Sequence, residues 1–217
     1  MLRDEDKKEI SKRLDAMEGP VKLIYFTQET AGECQYCVET GQLLKELSEL
    51  SDKLSLDVLN FVIDKEKVGQ YQIDKIPATV IEGKKDQNLR FYGIPSGYEF
   101  ASFLEAILLV SRGESGLADD IEKEVKSINE PVHIQVFVTP TCPYCQQAAL
   151  TSYAMALAND NIRSDIVEVS EFMHLGQKYG VMGVPRVVIN ETHSFEGALP
   201  ENLFLEEVRK ASQKKAK

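Results

Sequence analysis

The chain repeats itself at a fixed offset, and that repeat limits its fold more than any other feature. Cys34 and Cys142 stand 108 residues apart, as do Cys37 and Cys145, Ile76-Pro77 and Val184-Pro185, and the apolar pairs Val80-Ile81 and Val188-Ile189. Upstream, the run from Pro20 to Phe26 matches Pro131 to Phe137, with three extra residues before Cys34. Downstream, Phe91-Tyr92-Gly93 matches Phe195-Glu196-Gly197, with four residues fewer in the second copy. Length changes of this size belong in loops. Solenoid repeats run to roughly 20–50 residues, so copies this long are two similar units, 1–113 and 114–217. The linker Ser111-Arg112-Gly113-Glu114-Ser115-Gly116 is short, which predicts units that pack together.

Both copies read alike. Ile10, Leu14 and Met17 share one helical face, as do Leu117, Ile121, Val125 and Ile128, so each copy opens with an amphipathic helix. A strand follows (21–26; 132–138), then a CxxC leading into a helix (35–51; 143–159). A second strand (56–63; 163–169) and a short helix (66–72; 172–179) lead to the X-Pro step. Two short β segments come next (78–82 and 88–92; 186–190 and 193–196), and a helix closes each copy (98–111; 201–213). The order αβαβαββα predicts an α/β fold in which helices cover a mixed sheet on both faces.

Composition removes several function classes. With 43% hydrophobic and 28% charged residues, the chain is no disordered polymer. Its net charge of −10, shared equally by the two halves, opposes nucleic-acid binding, which needs a basic surface. The opening from Met1 to Glu9 has no apolar core, and the longest apolar run, Ala106 to Val110, is far too short for a membrane span. The expectation is a soluble, cytoplasmic protein that binds neither nucleic acid nor membrane.

The four cysteines form two CxxC pairs with none left over. A secreted disulfide scaffold would be richer in cysteine, which leaves a four-thiolate zinc site or two redox dithiols. Zinc ribbons separate their pairs by roughly 15–20 residues, whereas 104 lie between Cys37 and Cys142. A CxxC between a strand and a helix places both sulfurs in the first turn, where free N–H groups and the helix dipole favour negative charge. Cys34 and Cys142 are then the attacking thiolates with lowered pKa, and Cys37 and Cys145 the resolving thiols. Pro143 suits a first helical turn, and Gln35 in its place predicts two sites that differ in thiolate stabilisation. Tyr36, Tyr144, His133, His174 and His193 read as packing or surface residues. No histidine adjoins either CxxC, so Cys–His proteolysis has no support.

Strand, CxxC and helix followed by X-Pro, 43 residues from Cys34 to Pro77 and again from Cys142 to Pro185, resembles the thioredoxin fold. Two such units, with Cys34-Gln35-Tyr36-Cys37 in the first and Cys142-Pro143-Tyr144-Cys145 in the second, are similar to the protein disulfide oxidoreductases of thermophilic archaea and bacteria. These are also described as glutaredoxin-like proteins, and the resemblance spans essentially the whole chain. It implies a thiol–disulfide oxidoreductase of a thermophilic cytoplasm that reduces, forms or isomerises protein disulfides. It also implies cis peptide bonds before Pro77 and Pro185, with the Ile76 and Val184 backbones pairing with the client peptide. No bound metal or organic cofactor is implied. The partners it implies are protein substrates and, as electron donor, a thioredoxin-reductase-like flavoprotein. Two other readings stay open. One is a relay to a peroxiredoxin, as in the tandem thioredoxin-like module of bacterial alkyl hydroperoxide reductases; the other is a non-enzymatic zinc- or peptide-binding protein.

Some residues depart from the related patterns. Thioredoxins carry a buried acid on the strand before the CxxC, where this chain has Tyr25 and Val136. Proton transfer then needs another group; Glu39 is a candidate in the first copy, and its counterpart is Gln147. The glutathione-binding elements of glutaredoxins are replaced by Lys75-Ile76-Pro77 and Gly183-Val184-Pro185, then Tyr92-Gly93-Ile94 and Glu196-Gly197-Ala198. The expectation is independence from glutathione.

Overall fold

The computed structural model describes residues 2–28 and 34–213, without the side chain of Gln213. The first half forms α1 (Asp4–Leu14), β1 (Val21–Thr27), α2 (Cys37–Ser48), β2 (Leu54–Asn60), α3 (Lys65–Gln70), β3 (Ala78–Glu82), β4 (Asp86–Tyr92) and α4 (Tyr98–Arg112). The second half repeats the order with α5 (Asp119–Lys126), β5 (Val132–Val138), α6 (Cys145–Ala158), β6 (Ile162–Glu168), α7 (Met173–Lys178), β7 (Arg186–Ile189), β8 (His193–Glu196) and α8 (Glu201–Gln213). No helix among the described residues is long and apolar enough to cross a membrane.

All eight strands join one mixed sheet in the order β2-β1-β3-β4-β6-β5-β7-β8. The two thioredoxin-like units therefore meet edge to edge, with β4 parallel to β6 from Leu89 opposite Ser164 to Tyr92 opposite Val167. Within each unit the third strand is antiparallel to its neighbours and the first two are parallel. It follows that β1, β4, β6 and β5 all point the same way. Both CxxC segments leave the sheet at one edge, four strand spacings apart, or roughly 19 Å at the usual interstrand distance.

The two faces are covered unequally. On β1, Val21, Leu23 and Tyr25 point into a large core that also holds Leu14, Leu44, Phe103, Val125, Tyr153 and Phe204, contributed by α1, α2, α4, α5, α6 and α8. Ile24 and Phe26 point the other way, against Tyr71 and Phe172, where only α3 and α7 lie over the sheet. That thinner face carries a buried ionic group at the seam. Asp165 is fully buried; its carboxylate accepts from His133 Nε2 at 2.7 Å and Arg163 Nε at 2.8 Å. Arg163 also reaches across to Tyr92 Oη at 2.9 Å and the Gln72 carbonyl at 3.1 Å. His133, read from sequence as an outward-facing strand residue, is half-buried and part of this group.

The boundaries differ from the sequence reading in three instructive places. β2 ends at Asn60, because Asn60 Oδ1 accepts from the Val62 and Ile63 amides at 2.9 and 3.0 Å; the apolar run 61–63 is a turn closed by a side chain. α2 begins at Cys37 and α6 at Cys145, with Tyr36 and Tyr144 as the capping positions. The first cysteine of each pair thus precedes the helix instead of lying in its first turn. The three-residue insertion lies between Phe26 and Cys34, a stretch of which residues 29–33 are outside the described residues.

Candidate active site

Each CxxC is closed as a disulfide, Cys34–Cys37 and Cys142–Cys145, with Cα atoms 5.5 Å apart in both. The first sulfur lies ahead of the helix and the second is on its first residue, so the unpaired N–H groups of the helix start are directed toward the first cysteine. Cys37 is 3% exposed and Cys145 is fully buried, whereas Cys34 is only half-buried and Cys142 is 8% exposed. In both units the N-terminal sulfur is thus the more accessible one.

The X-Pro steps end in the same places. Ile76–Pro77 and Val184–Pro185 are both cis, and the carbonyls of Pro77 and Pro185 accept from Gly93 and Gly197 at 2.9 Å. Ile76 and Val184 are partly exposed, and the Val184 carbonyl lies 3.7 Å from Cys142 Sγ. The carbonyl of the second cis step thus stands beside the first sulfur of its pair.

Among the described residues, Tyr25, Glu99 and Glu171 are titratable groups with raised pKa toward this edge of the sheet. Tyr25 occupies the strand position of the thioredoxin acid; it is 1% exposed and its hydroxyl donates to the Cys37 carbonyl at 2.6 Å. Burial pushes its phenol up to about 12, with help from the charges of Glu171 and Glu39. Glu99, in the first turn of α4, is fully buried. Its Oε2 accepts from Ser102 Oγ at 3.0 Å, while Oε1 has no hydrogen-bond partner. Burial pushes this carboxyl up to about 7 against the Ser102 hydrogen bond. The start of α4 is tied to the segment before Cys142, since the Tyr98 amide donates to the Pro140 carbonyl at 2.9 Å. Burial raises the Tyr153 phenol, two turns beyond Cys145, and the charge of Glu99 adds to the rise. The third residue, Glu171, belongs to the second half but lies against Gly93 and Ile94 of the first. Sequence reasoning proposed Glu39 and missed both other acids. Glu99 had a signal, because it shares the helical stripe of Phe103, Ala106, Ile107 and Val110; Glu171 lies in a loop and had none.

Every exposed large apolar side chain among the described residues lies toward this edge of the sheet. Val38 (73% exposed) follows Cys37, and Val58, Val62 and Ile63 (77%) lie on and just after the edge strand β2. Tyr98, Tyr144, Met173, Met182 (93%) and Leu203 sit on helix starts and loops toward the second. A single ion bound by all four cysteines does not fit this arrangement, since zinc–sulfur bonds of about 2.3 Å cannot bridge pairs roughly 19 Å apart. Among the described residues, no three His, Cys, Asp or Glu side chains group to hold a metal.

A thioredoxin-domain model matches residues 132–210. Over almost the entire chain, the structure superposes on a protein disulfide oxidoreductase from Aeropyrum pernix with a TM-score of 0.91 and 31% identity, covering 98% of this chain and 94% of that one. The chain belongs to the protein disulfide oxidoreductase family. Like the Aeropyrum protein it is built from tandem thioredoxin-fold units, and its two CxxC pairs make it a thioredoxin-fold disulfide oxidoreductase. The NTD_N/C domain of alkylhydroperoxide reductase AhpF from Enterococcus faecalis shares the fold, with a TM-score of 0.88 at 22% identity over 96% of this chain and 100% of that one. In sequence, the F polypeptide of alkyl hydroperoxide reductase from Staphylococcus aureus is 26% identical over 191 residues, 88% of this chain and 34% of that protein. This member of the family therefore spans about a third of the length of the curated relatives it matches.

Proposed function

We propose that this oxidoreductase reduces, forms or isomerises disulfides in protein clients, in the cytoplasm, using both dithiols. What supports the reading is the duplicated placement: a cysteine ahead of a helix start, a more deeply buried partner on the helix's first residue, and a cis X-Pro step 43 residues further on. Cys34 and Cys142 attack the client disulfide; Cys37 and Cys145 resolve the mixed disulfide. The Ile76 and Val184 backbones pair with the client chain next to its sulfur, and the gathered apolar side chains receive its flanking residues. At the second site, Glu99 takes the proton from Cys145 as it resolves. The units divide between Gly113 and Glu114, where Gly113 closes α4 in a left-handed conformation with φ of 72°.

Reducing equivalents come from a thioredoxin-reductase-like flavoprotein. The match to the staphylococcal alkyl hydroperoxide reductase favours a second reading for the reduced protein, delivery of electrons to a peroxiredoxin. Insulin reduction and oxidative refolding by Cys34→Ser, Cys142→Ser and the double variant test the mechanism. One single variant should lose most reductase activity and the double should lose all of it. Full activity in the double variant would reject the mechanism, and equal loss in the two singles would reject the inequality of the sites.

A further inference from the structure

Among the described residues of its own half, no buried acid stands at the first dithiol. Tyr25 fills the strand position, and Glu39, on the first turn of α2, is exposed. A carboxyl from the other half, Glu171, lies near enough for its charge to act on Tyr25 and Glu39 beside this site. Glu168, the buried last residue of β6, accepts from the Glu171 amide at 2.9 Å and from the Ser170 hydroxyl. That loop aims Glu171 across the seam, where its Oε1 accepts from the Ile94 amide at 2.7 Å. Ile94 follows Gly93, whose amide is bonded to Pro77 of the first cis step. Gly93 has φ of +101°, and a Cβ there would stand 2.7 Å from Glu171 Oε1; the carboxyl occupies the space that a side chain would need. The repeat sharpens the point. The residue 108 positions earlier is Ile63, 77% exposed at the outer edge of the sheet, where β2 has no neighbour beyond it. An acid at this position meets a dithiol only at the seam.

We propose that Glu171 is the proton acceptor for Cys37, so that the second half completes the redox site of the first. This rests on the reading of Cys34 and Cys37 as a working dithiol. Among the described residues the groups that face Glu171 are Glu168 from β6, Glu39 from α2, Tyr25 from β1 and the Ile94 amide. Burial pushes the carboxyl up to about 7 against the amide bond, and the two neighbouring carboxylates add to the rise. It is thus poised to exchange protons at neutral pH. With a client held as a Cys34–client disulfide, the Cys37 thiol gives its proton to the Glu171 carboxylate. The thiolate attacks Cys34 Sγ, the Cys34–Cys37 bond forms, and the Cys34–client bond breaks. The client sulfur leaves with the electron pair and takes the proton back from Glu171.

The test uses the full chain carrying Cys142→Ser and Cys145→Ser, so that only the first dithiol works, and the mirror protein carrying Cys34→Ser and Cys37→Ser. Glu171→Gln should slow resolution of a mixed disulfide in the first by about a hundredfold at neutral pH and remove the inflection near 7 from its pH–rate profile. It should leave the mirror protein unchanged, and Glu171→Asp should restore part of the rate and the inflection. Carbon-13 NMR of the wild-type Glu171 carboxyl supplies a readout that needs no client. Its titration should move upward when Cys34–Cys37 is reduced and stay in place when only Cys142–Cys145 is reduced. Turnover with an unmoved titration, or equal slowing in both proteins, overturns the assignment. A titration that responds in a protein unable to turn over at the first dithiol upholds the proton link and overturns the oxidoreductase reading instead.

Discussion

Glu99→Gln should stabilise the oxidised protein above neutral pH and leave it unchanged in acid. Glu99 is fully buried with one carboxyl oxygen unpaired, and its pKa rises from 4.5 to about 7. A group whose folded pKa is raised binds its proton more tightly in the fold. Its contribution is therefore complete below about 4.5 and is lost as the pH climbs through about 7. The shift corresponds to about 3 kcal/mol, at 1.36 kcal/mol for each pKa unit. Glutamine keeps an acceptor for Ser102 and never ionises, so it escapes that loss. Guanidinium unfolding of both proteins at pH 4 and pH 9 should give curves that coincide in acid and separate by about 3 kcal/mol in base. For a chain of this size that equals roughly 6–12 °C in Tm. Glu171 adds its own pH dependence to both proteins and cancels in the difference. A gap that stays constant from pH 4 to 9, or a variant less stable in base, would refute an ionised buried carboxyl.

Two further substitutions probe the seam. Asp165→Asn leaves Arg163 without its buried counter-charge and should cost about 3–5 kcal/mol in denaturant unfolding at pH 7. Burial opposes ionisation of Asp165, but the His133 hydrogen bond and the Arg163 charge overcome it and hold the carboxyl below its usual range. That advantage is present above the ordinary carboxylate pKa and fades in acid, so the gap should narrow toward pH 2; a gap that widens there counts against the network. Gly97→Ala would place a Cβ 2.2 Å from the Pro140 carbonyl at a φ of +59°. It should slow insulin reduction through Cys142 in the Cys34→Ser background more than reduction through Cys34 in the Cys142→Ser background. Equal effects would separate the α4 start from the second site.

The repeat was legible because it is written in residue types that tolerate little replacement: paired cysteines, X-Pro steps and apolar pairs at one offset. Core strands such as β5 emerged at their observed limits, since buried alternation leaves a clear pattern. Phe61-Val62-Ile63 has strand-like chemistry, which extends the sequence pattern of β2 past its end, and the Asn60 side chain turns that run into a loop. What stayed hidden is whatever depends on how the halves meet. No local pattern states that β4 pairs with β6, and only through that pairing does Arg163 reach Gln72 and Tyr92 and does Glu171 reach Ile94. The acids were missed for the same reason: position relative to Cys37 along the chain picked out Glu39, while proximity across the seam picks out Glu171.

The parallel seam also sets how many clients one molecule can hold. Because the units stack by translation along the sheet and not about a two-fold axis, the two dithiols open side by side. On the proposed reading, a folded client bound through one of them would overhang the other, so such clients are expected to compete for a single place. An extended chain behaves differently: at about 3.3 Å per residue, some six residues span the interval between the sites. One unfolded segment with two cysteines at that spacing can engage both dithiols together, and the second attachment is then governed by the length of chain between its cysteines instead of by client concentration.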